Sequence, residues 1–353
     1  MTASFRYRVG LLVSSACIMV VAGCGRSNAP AKAASGAPGQ QAAGKPYKVA
    51  LILSGSGTDH GWNQDAVEAV HDVQTALSLP ASSISIKEQA VSPSQQQDNL
   101  RAYAGQGYNL IIGHGEEYQA PALHMAPQFP NSLFVISSGD KMAANVTPIV
   151  FKLEDGAYLL GMLAGGMSRT GKIAEVGAQE IAPVRSVFSA FALGAKAVNP
   201  NITILHPVYT NDWEDIGKAT QATQPLIQQG ADVIIQDLDS ASQGVFNAVQ
   251  QASTAAHPVY ALGTNNNQNS AAPGVVLASA PINCSPVFVS IAKQAEAGTF
   301  KPTDTPYGLP QGVIGYIENP ALASRIPASL QARIDAAEQA IKSGKLVVPM
   351  KTQ

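Results

Sequence analysis

Residues 48–64 read KVALILSGSGTDHGWNQ, and the rest of the fold can be worked out from this stretch. The five side chains of 49–53 are all apolar, which is typical of a strand buried on both faces of a parallel sheet. The segment 54–61 is rich in glycine and short polar residues, and it leads into an amphipathic stretch that predicts a helix over 62–77. A buried strand, a polar loop and a helix in succession form the repeating unit of a doubly wound α/β protein.

The same succession recurs along most of the chain. Further strand candidates lie at 84–87, 110–112, 133–136, 148–152, 172–176, 202–206, 233–235, 259–262 and 275–278. Helical patterns lie between most of them, which predicts parallel sheets covered on both faces. The length of 353 residues exceeds what a single core usually serves. We therefore predict an α/β protein with two doubly wound parallel-sheet lobes joined by a hinge.

Crossings of the chain between the two lobes set the domain boundaries. The expected crossings lie near 151–155, 263–272 and 300–311. The last of these contains three prolines, which exclude a helix. The first lobe is then 47–152, completed by about 264–300, and the second lobe is 153–263, completed by about 301–353. Several crossings side by side predict a hinge with a cleft between the lobes.

The N-terminus resembles a bacterial lipoprotein signal. Arg6 and Arg8 precede an uncharged, mostly apolar run over 9–22, which is too short to span a membrane as a helix. The run ends in VAGC, with small residues ahead of Cys24 as in a lipobox. We predict a signal peptide over 1–23, a diacylglycerol on the Cys24 thiol and a flexible tether over 24–46. The alternative is an ordinary secretory signal in which Cys24 is incidental.

Composition excludes several other classes of protein. A net charge of −2 and a pI near 6.3 offer no broad basic surface for nucleic acid. Three cysteines are too few for a disulfide scaffold or a zinc cluster. The six histidines show no close metal-ligand spacing, and His114 and His124, ten residues apart, come nearest to one. We therefore expect no metal and no cofactor.

Polar loops follow the predicted strands, where open parallel sheets bind their ligands. The chain has two tryptophans, Trp62 and Trp213, and each lies in such a loop at a helix start, one in each lobe. Two aromatic rings from opposite lobes can stack on both faces of a flat ligand. Ordinary packing into a core is the alternative for both. Spacing alone favours packing, and the polar residues around both tryptophans leave the two interpretations open.

Five segments, in order, resemble the basic membrane protein family of bacterial substrate-binding lipoproteins, which includes purine nucleoside receptors. They are GTDHGWNQ at 57–64, FKLEDGAYLLG at 151–161, GKI at 171–173, FALGAK at 191–196 and GADVIIQ at 230–236. These are similar to the family patterns D-K-G-F/W-N-Q, F-x-x-E-x-G-A-Y-L-A-G, G-K-I-G-x-V, F-x-x-G-A and G-A-D-V-I-x-Q. The resemblance covers 47 to about 318 and implies a type I periplasmic binding protein-like fold.

The resemblance also implies where a ligand binds. Trp62 and Asn63 match the turn that meets a purine base, and Trp213 matches the aromatic residue that stacks on it. The full set of expected ligand-binding residues is Ser56, Thr58, Asp59, Trp62, Asn63, Ser138, Trp213, Asp239, Ser240, Asn265 and Asn267.

Several departures from the family pattern concern ribose. Asn265 and Asn267 replace both aspartates of the family's G-x-D-x-D-Q, so a carboxylate that accepts from two ribose hydroxyls is absent. Thr58 and Ser138 likewise replace acids, and the family's lysine after L-x-S has no counterpart in LASAPIN at 277–283. These losses favour a ligand of the size of a free base.

The predicted function is capture of a purine-type ligand, a nucleobase or nucleoside, for an ABC importer. The expected partners are a purine-like small molecule, the importer permease and, through the lipid anchor, the membrane surface facing the periplasm or cell exterior. We expect a monomer. We also expect no enzymatic activity, because the sequence shows no recognisable pair of a nucleophile and a base. Three alternatives remain: a ligand-binding sensor of the same fold, a binding protein for another small polar ligand such as a sugar, and a surface hydrolase or lyase on the same scaffold.

Overall fold

The structure, a computed structural model, describes residues 46–350. The predicted signal peptide over 1–23, the predicted lipidation site Cys24 and nearly all of the predicted tether over 24–46 lie outside the described residues. No helix in the described part of the chain is long and apolar enough to span a membrane.

The first sheet has five strands, all parallel. Its strands are β1 (Val49–Leu53), β2 (Ile84–Lys87), β3 (Leu110–His114), β4 (Leu133–Ser137) and β5 (Val146–Ile149), in the spatial order β2-β1-β3-β4-β5. Its helices are α1 (Trp62–Ala76), α2 (Pro93–Gly105) and α3 (Gln119–Met125). Leu51 packs in one core with α1, whereas Ile52 packs in a second core with α2 and α3. Both faces of the sheet are therefore covered, because alternate side chains of a strand point to opposite faces.

The second sheet has seven strands. They are β6 (Lys172–Gly177), β7 (Thr203–Ile204), β8 (Val208–Tyr209), β9 (Val233–Asp237), β10 (Tyr260–Asn265), β11 (Val276–Pro281) and β12 (Ile317–Glu318). The order is β12-β11-β10-β9-β6-β7, with β8 also paired to β6, and only β12 is antiparallel to its neighbour. The remaining helices are α4 (Glu154–Met167), α5 (Ala182–Val198), α6 (Ile216–Gln228), α7 (Ser242–Ala252), α8 (Ser285–Glu296) and α9 (Ala328–Lys342). Helices α4, α5 and α9 cover one face of this sheet, and α6 and α7 cover the other.

Glycines allow α4 and α5 to pack with their backbones in contact. A Cβ added to Gly161 would lie 2.0 Å from the backbone oxygen of Phe191, and one added to Gly194 would lie 2.0 Å from that of Tyr158. No larger residue fits at either position without separating the helices. This contact fixes the position of α4, which follows the first crossing between the lobes, against α5.

The chain crosses between the lobes three times, and the crossing segments pair with one another. Phe151 bridges Tyr307 in parallel, and Ile282 bridges Ile314 in antiparallel orientation. The first lobe consists of the first sheet with α1, α2, α3 and α8, since α8 packs against α1. The second lobe consists of the second sheet with α4 to α7 and α9.

The expected second crossing near 263–272 is wrong by about one strand. Strand β11 stays in the second sheet, where Ala278 and Ser279 pair with β10, and the chain crosses only after Pro281. The physical reason is burial: Leu277 is fully buried in the core of the second lobe. Residues 264–281 therefore complete the second lobe, and only α8 returns to the first.

Candidate functional site

The polar loops at the carboxyl ends of the strands of both sheets face one another. The loop after β1 carries Trp62, whose backbone N–H lies 3.3 Å from Oδ1 of Asp239 in the second lobe. Nε2 of Gln268, also in the second lobe, lies 3.3 Å from the backbone oxygen of His60. The lobes therefore touch across a closed cleft, as expected for ligands that bind at this edge of parallel sheets.

Asp59 organises the first-lobe loop from within. Its carboxylate accepts hydrogen bonds from the backbone N–H groups of Gly61, Asn63 and Gln64 at 2.9, 2.9 and 3.0 Å, and from Nδ2 of Asn63 at 2.7 Å. Asp59 is fully buried, and it supplies the acceptors for the otherwise unpaired N–H groups at the start of α1. The four bonds occupy both carboxylate oxygens. Asp59, which the sequence predicts as a ligand contact, therefore stabilises the conformation of this loop.

Trp62 is held on one side by His114, which ends β3. The two rings are stacked with centroids 4.1 Å apart and an angle of 23° between their planes. Nε2 of His114 lies 3.0 Å from the backbone oxygen of Trp62 and therefore donates, so Nδ1 accepts from Oγ of Ser137 at 2.8 Å. In return, Nε1 of Trp62 donates to the backbone oxygen of His114 at 3.4 Å. The edge contact with Phe151, at 5.6 Å between centroids, completes the fixation of the indole ring.

His114 stays neutral in this position. It is fully buried, and burial lowers its pKa to about 3, opposed by the hydrogen bond to Trp62. A neutral imidazole carries one N–H donor and one acceptor, which matches its two partners. The ring therefore acts as an uncharged support for the indole.

Asn63 is the second expected contact that lies deep in the site. It is 2% exposed, and its Oδ1 has no hydrogen-bond partner among the described residues. Its Nδ2 would lie 2.6 Å from a Cβ at Gly55, so only glycine fits beside the amide. A buried amide oxygen without a partner is an acceptor available to a bound group.

The second lobe contributes a row of side chains from β9 and β10. Asp237 ends β9, and its Oδ1 accepts from Nδ2 of Asn265 at 3.1 Å. Burial raises the pKa of Asp237 to about 6, opposed by that hydrogen bond. Burial also raises the pKa of Asp239 well above its ordinary value, and the facing carboxylate of Asp59 raises it further. Closure of the cleft thus brings Asp59 of the first lobe close to Asp239 of the second lobe.

Trp213 is half-buried and packs partly against both cores of the second lobe. Its backbone oxygen accepts from the N–H of Ala241 at 3.0 Å, which ties its loop to the loop after β9. In the described part of the chain its ring makes no direct ring contact with Trp62. Stacking of a ligand between the two tryptophans stays a prediction.

The other expected contacts lie at the periphery of these groups. Ser56 and Thr58 bond to each other at 3.1 Å, and Thr58 is exposed. Asn267 is also exposed, and its Oδ1 accepts from the N–H of Asn269 within its own turn. Ser138 and Ser240 are half-buried at the ends of their loops. The structure brings Asp59, Trp62, Asn63 and Asp239 into one hydrogen-bonded group and joins Asn265 to Asp237 at the end of β9.

Strained backbone is concentrated at this edge of the sheets. His60, Ser138, Asn211 and Asn265 have positive φ angles of 56°, 57°, 56° and 64°, and each follows or ends a strand that points to the cleft. Such conformations are unfavourable for side-chain-bearing residues and cluster at functional sites.

Sequence reasoning missed His114, Asp237 and Gln268 as site residues. All three lie in the strand-end segments that the sequence pattern marks as polar. Gln268 accepts from Nε2 of Gln236 at 2.7 Å and donates to Oγ of Ser242 at 3.2 Å, in addition to its bond across the cleft. Their position directly after buried strands is the signal that identifies them.

Two parallel-sheet lobes, three paired crossings and a cleft lined by strand-end loops define a solute-binding protein of the periplasmic binding protein type. A solute-binding protein of an ABC transporter system from Conexibacter woesei has the same fold, with a TM-score of 0.68 and 26% identity over 86% of this chain and 99% of that one. A second one, from Aeropyrum pernix, has a TM-score of 0.77 at 19% identity, covering 87% of this chain and 94% of that one, and supports the fold alone. The predicted fold class is confirmed.

The chain belongs to the Bmp family of PnrA-like ABC transporter substrate-binding proteins, whose model matches residues 47–351. A relative in Brucella abortus, named a purine-binding protein, is 27% identical over 85% of this chain and 82% of its own length. The family predicted from the five sequence motifs is confirmed. Substrate-binding proteins of ABC transporters bind small ligands and act with permeases.

Proposed function

We propose that this protein captures a purine-type ligand in the cleft between its lobes and delivers it to an ABC importer, without breaking a bond. The observation that carries the proposal is the indole of Trp62, fixed by His114 at the edge of the cleft. A rigid aromatic ring at this position favours a flat ligand, because stacking adds about 0.5–1.5 kcal/mol beyond burial. The name of the Brucella relative supports the same ligand class.

Closure of the lobes depends on contacts to both of them. The hydrogen bonds from Trp62 to Asp239 and from Gln268 to His60 join the lobes directly, and a ligand between them adds further contacts. Only interactions present in the closed state shift the equilibrium toward it. A ligand that meets Trp62 on one side and the β9 and β10 side chains on the other fulfils this condition.

The polar groups of the cleft favour a free base over a nucleoside. Asn265 uses its amide nitrogen on Asp237, and Asn267 is exposed within its own turn. Neither offers a carboxylate to a pair of ribose hydroxyls. The expected order of affinity is therefore free base before nucleoside, and much tighter binding of adenosine or guanosine than of any free base would overturn this part.

The anchor and the location belong to the same proposal. A lipid on Cys24, followed by the glycine- and alanine-rich segment 29–44, would hold the lobes near the permease at the outer side of the membrane. Metabolic labelling with palmitate, compared between the wild type and Cys24→Ser, tests this point. Equal labelling of both proteins would refute it.

A thermal-shift screen with free bases, nucleosides, sugars and amino acids tests the ligand. At a hundredfold excess over the dissociation constant, a specific ligand stabilises the native state by about 2.7 kcal/mol. A shift with purines supports the proposal. A shift with a sugar and none with purines would leave the fold in place and reject the ligand.

A matched pair of variants tests the site. Trp213→Ala should weaken purine binding, whereas Tyr103→Ala should not, because Tyr103 packs against Tyr108 beyond the opposite end of the first sheet. An unchanged dissociation constant in Trp213→Ala would reject the assignment of this residue to the site.

A further inference from the structure

Asp237 and Asp239 form a pair of carboxylates on the second-lobe wall of the cleft. They are 4% and 6% exposed. Asp237 is the last residue of β9, and Asp239 follows two residues later, so both lie where the strands of this sheet end toward the first lobe. Neither forms an ion pair with a lysine, arginine or histidine within residues 46–350.

Each carboxylate has one oxygen in use and one oxygen free. Oδ1 of Asp237 accepts from Nδ2 of Asn265, and Oδ1 of Asp239 accepts from the N–H of Trp62. Oδ2 of each has no hydrogen-bond partner in the described chain. The bonds at Oδ1 fix the orientation of both side chains, so the free oxygens are held in place.

A carboxylate oxygen that faces a narrow cleft has lost most of its water, so a hydrogen-bond donor that enters the cleft binds to it favourably. Acids lie around Asp239: Asp59 faces it from the first lobe, and Glu214 contributes from the loop after β8. Arg185 acts on Glu116 and Tyr209 at this edge of the sheets, but no cation of the described chain acts on Asp237 or Asp239. Arg185 on α5 donates to the backbone oxygen of Glu180. An anionic group in the cleft would add repulsion, whereas N–H donors would satisfy the free oxygens.

We infer that the ligand presents N–H donors to Asp237 and Asp239 and carries no negative charge. This inference rests on the proposed function and narrows its ligand class to purines with an amino group, such as adenine and guanine, because the amino group adds two N–H bonds to the ring N–H groups that other purines also carry. It places the anionic purine urate, the partly anionic xanthine and all nucleotides outside that class. The carboxylates act as specificity-determining residues, in addition to the stacking surface of Trp62.

Two isosteric variants reverse the chemistry of the free oxygens. In Asp237→Asn the amide oxygen keeps the bond from Asn265, so the amide nitrogen takes the place of the free oxygen. In Asp239→Asn the amide oxygen likewise keeps the bond from the N–H of Trp62, so the amide nitrogen takes the place of the free oxygen. Both changes turn an acceptor into a donor without changing the shape of the side chain.

The experiment measures dissociation constants by calorimetry at pH 7.5 for matched pairs of compounds. The pairs are adenine with hypoxanthine, guanine with xanthine, and, as a non-purine control, cytosine with uracil; urate is the anionic probe. The wild type should favour the amino member of each purine pair, and each variant should bind that member about 10- to 100-fold more weakly. Asp98→Asn, an exposed acid on α2, should leave all values unchanged.

The outcomes separate the two proposals. Preference for cytosine with no binding of any purine rejects the proposed function and keeps the donor inference. Binding of xanthine or urate more tightly than the amino purines rejects the donor inference and keeps the purine. Unchanged affinity for adenine and guanine in both variants also rejects the donor inference, and no binding of any compound rejects both. Both variants should unfold at the same or a higher temperature than the wild type, which shows that weaker binding does not come from misfolding.

Discussion

Glu175 carries a buried carboxyl in the middle of β6, and this position makes folding stability depend strongly on pH. The residue is 4% exposed, and its Oε1 has no hydrogen-bond partner in the part of the chain that the structure describes. Burial raises its pKa from 4.5 to about 8. Desolvation disfavours the charged form, so the folded protein binds this proton more tightly than the unfolded chain does.

The sign and size of the effect follow from this difference. A raised folded-state pKa means that the stability associated with the proton is fully present below pH 4.5 and is lost as the pH rises through about 8. Full ionisation is linked to a loss of about 4 to 5 kcal/mol, at about 1.4 kcal/mol per pH unit between the two values. Between pH 5 and pH 8 the loss amounts to about 3 to 4 kcal/mol.

The test compares urea unfolding of the wild type with that of Glu175→Gln at both pH values. Gln has nearly the shape of the protonated acid and cannot ionise, so the two proteins should be of similar stability at pH 5. At pH 8 the variant should be more stable by about 3 to 4 kcal/mol. The other buried acids titrate in both proteins, so their contributions cancel in the comparison.

Glu68→Gln on α1 changes an exposed acid and should give unfolding curves parallel to those of the wild type at both pH values. If the curves of Glu175→Gln also stay parallel to the wild type from pH 5 to pH 8, the carboxyl of Glu175 is not desolvated as the structure places it.

Three further results are expected. His114→Ala removes the ring stacked on Trp62 and both imidazole hydrogen bonds, so the free energy of unfolding should fall by about 2–4 kcal/mol, as measured in urea; a change below 0.5 kcal/mol would contradict the described contacts. Because burial holds the pKa of His114 at about 3, the Trp62 fluorescence of a Trp213→Phe variant should show no transition between pH 5 and pH 7.5 that depends on His114, and a transition near pH 6.5 that disappears in His114→Gln would show a solvated imidazole. Gly161→Ala should lower the melting temperature, since the new Cβ would lie 2.0 Å from a backbone oxygen of α5, whereas Gly105→Ala, with no atom within 4 Å, should not.

Much of the fold follows from local patterns in the sequence. The apolar run at 49–53 and the predicted strand at 84–87 match β1 and β2 in the structure. The strand predicted at 148–152 lies instead at Val146–Ile149. Pro148 lies inside this strand although it lacks an N–H, because β5 is an edge strand and needs hydrogen bonds on one side only. The two-residue strands β8 and β12 carry too short a pattern to be recognised.

The site is less predictable because its contacts join distant parts of the chain. The polar loops and their edge of the sheet follow from strand order, so Trp62, Asn63 and Asp239 could be selected. The pairing of Trp62 with His114 could not, since the position of His114 at the end of β3 marks it as a strand-end residue and does not show which side chain it contacts. Asp59 could not be separated from a ligand contact, because a carboxylate that caps a helix and one that binds a ligand look alike in a sequence.

The return of α8 to the first lobe has a consequence for the order in which the protein can fold during synthesis. Val287, Phe288 and Ile291 of α8 belong to the core beneath β1 and α1, yet the whole of the second lobe's sheet up to Pro281 is made before them. As the chain emerges from the ribosome or a translocation channel, the first five strands have one apolar face incompletely covered until α8 follows. Exposed apolar surface in such an intermediate promotes aggregation, so a holding chaperone has the greatest effect in this interval. A chain cut short before Ser285 contains every strand of the first lobe and still lacks part of that lobe's core.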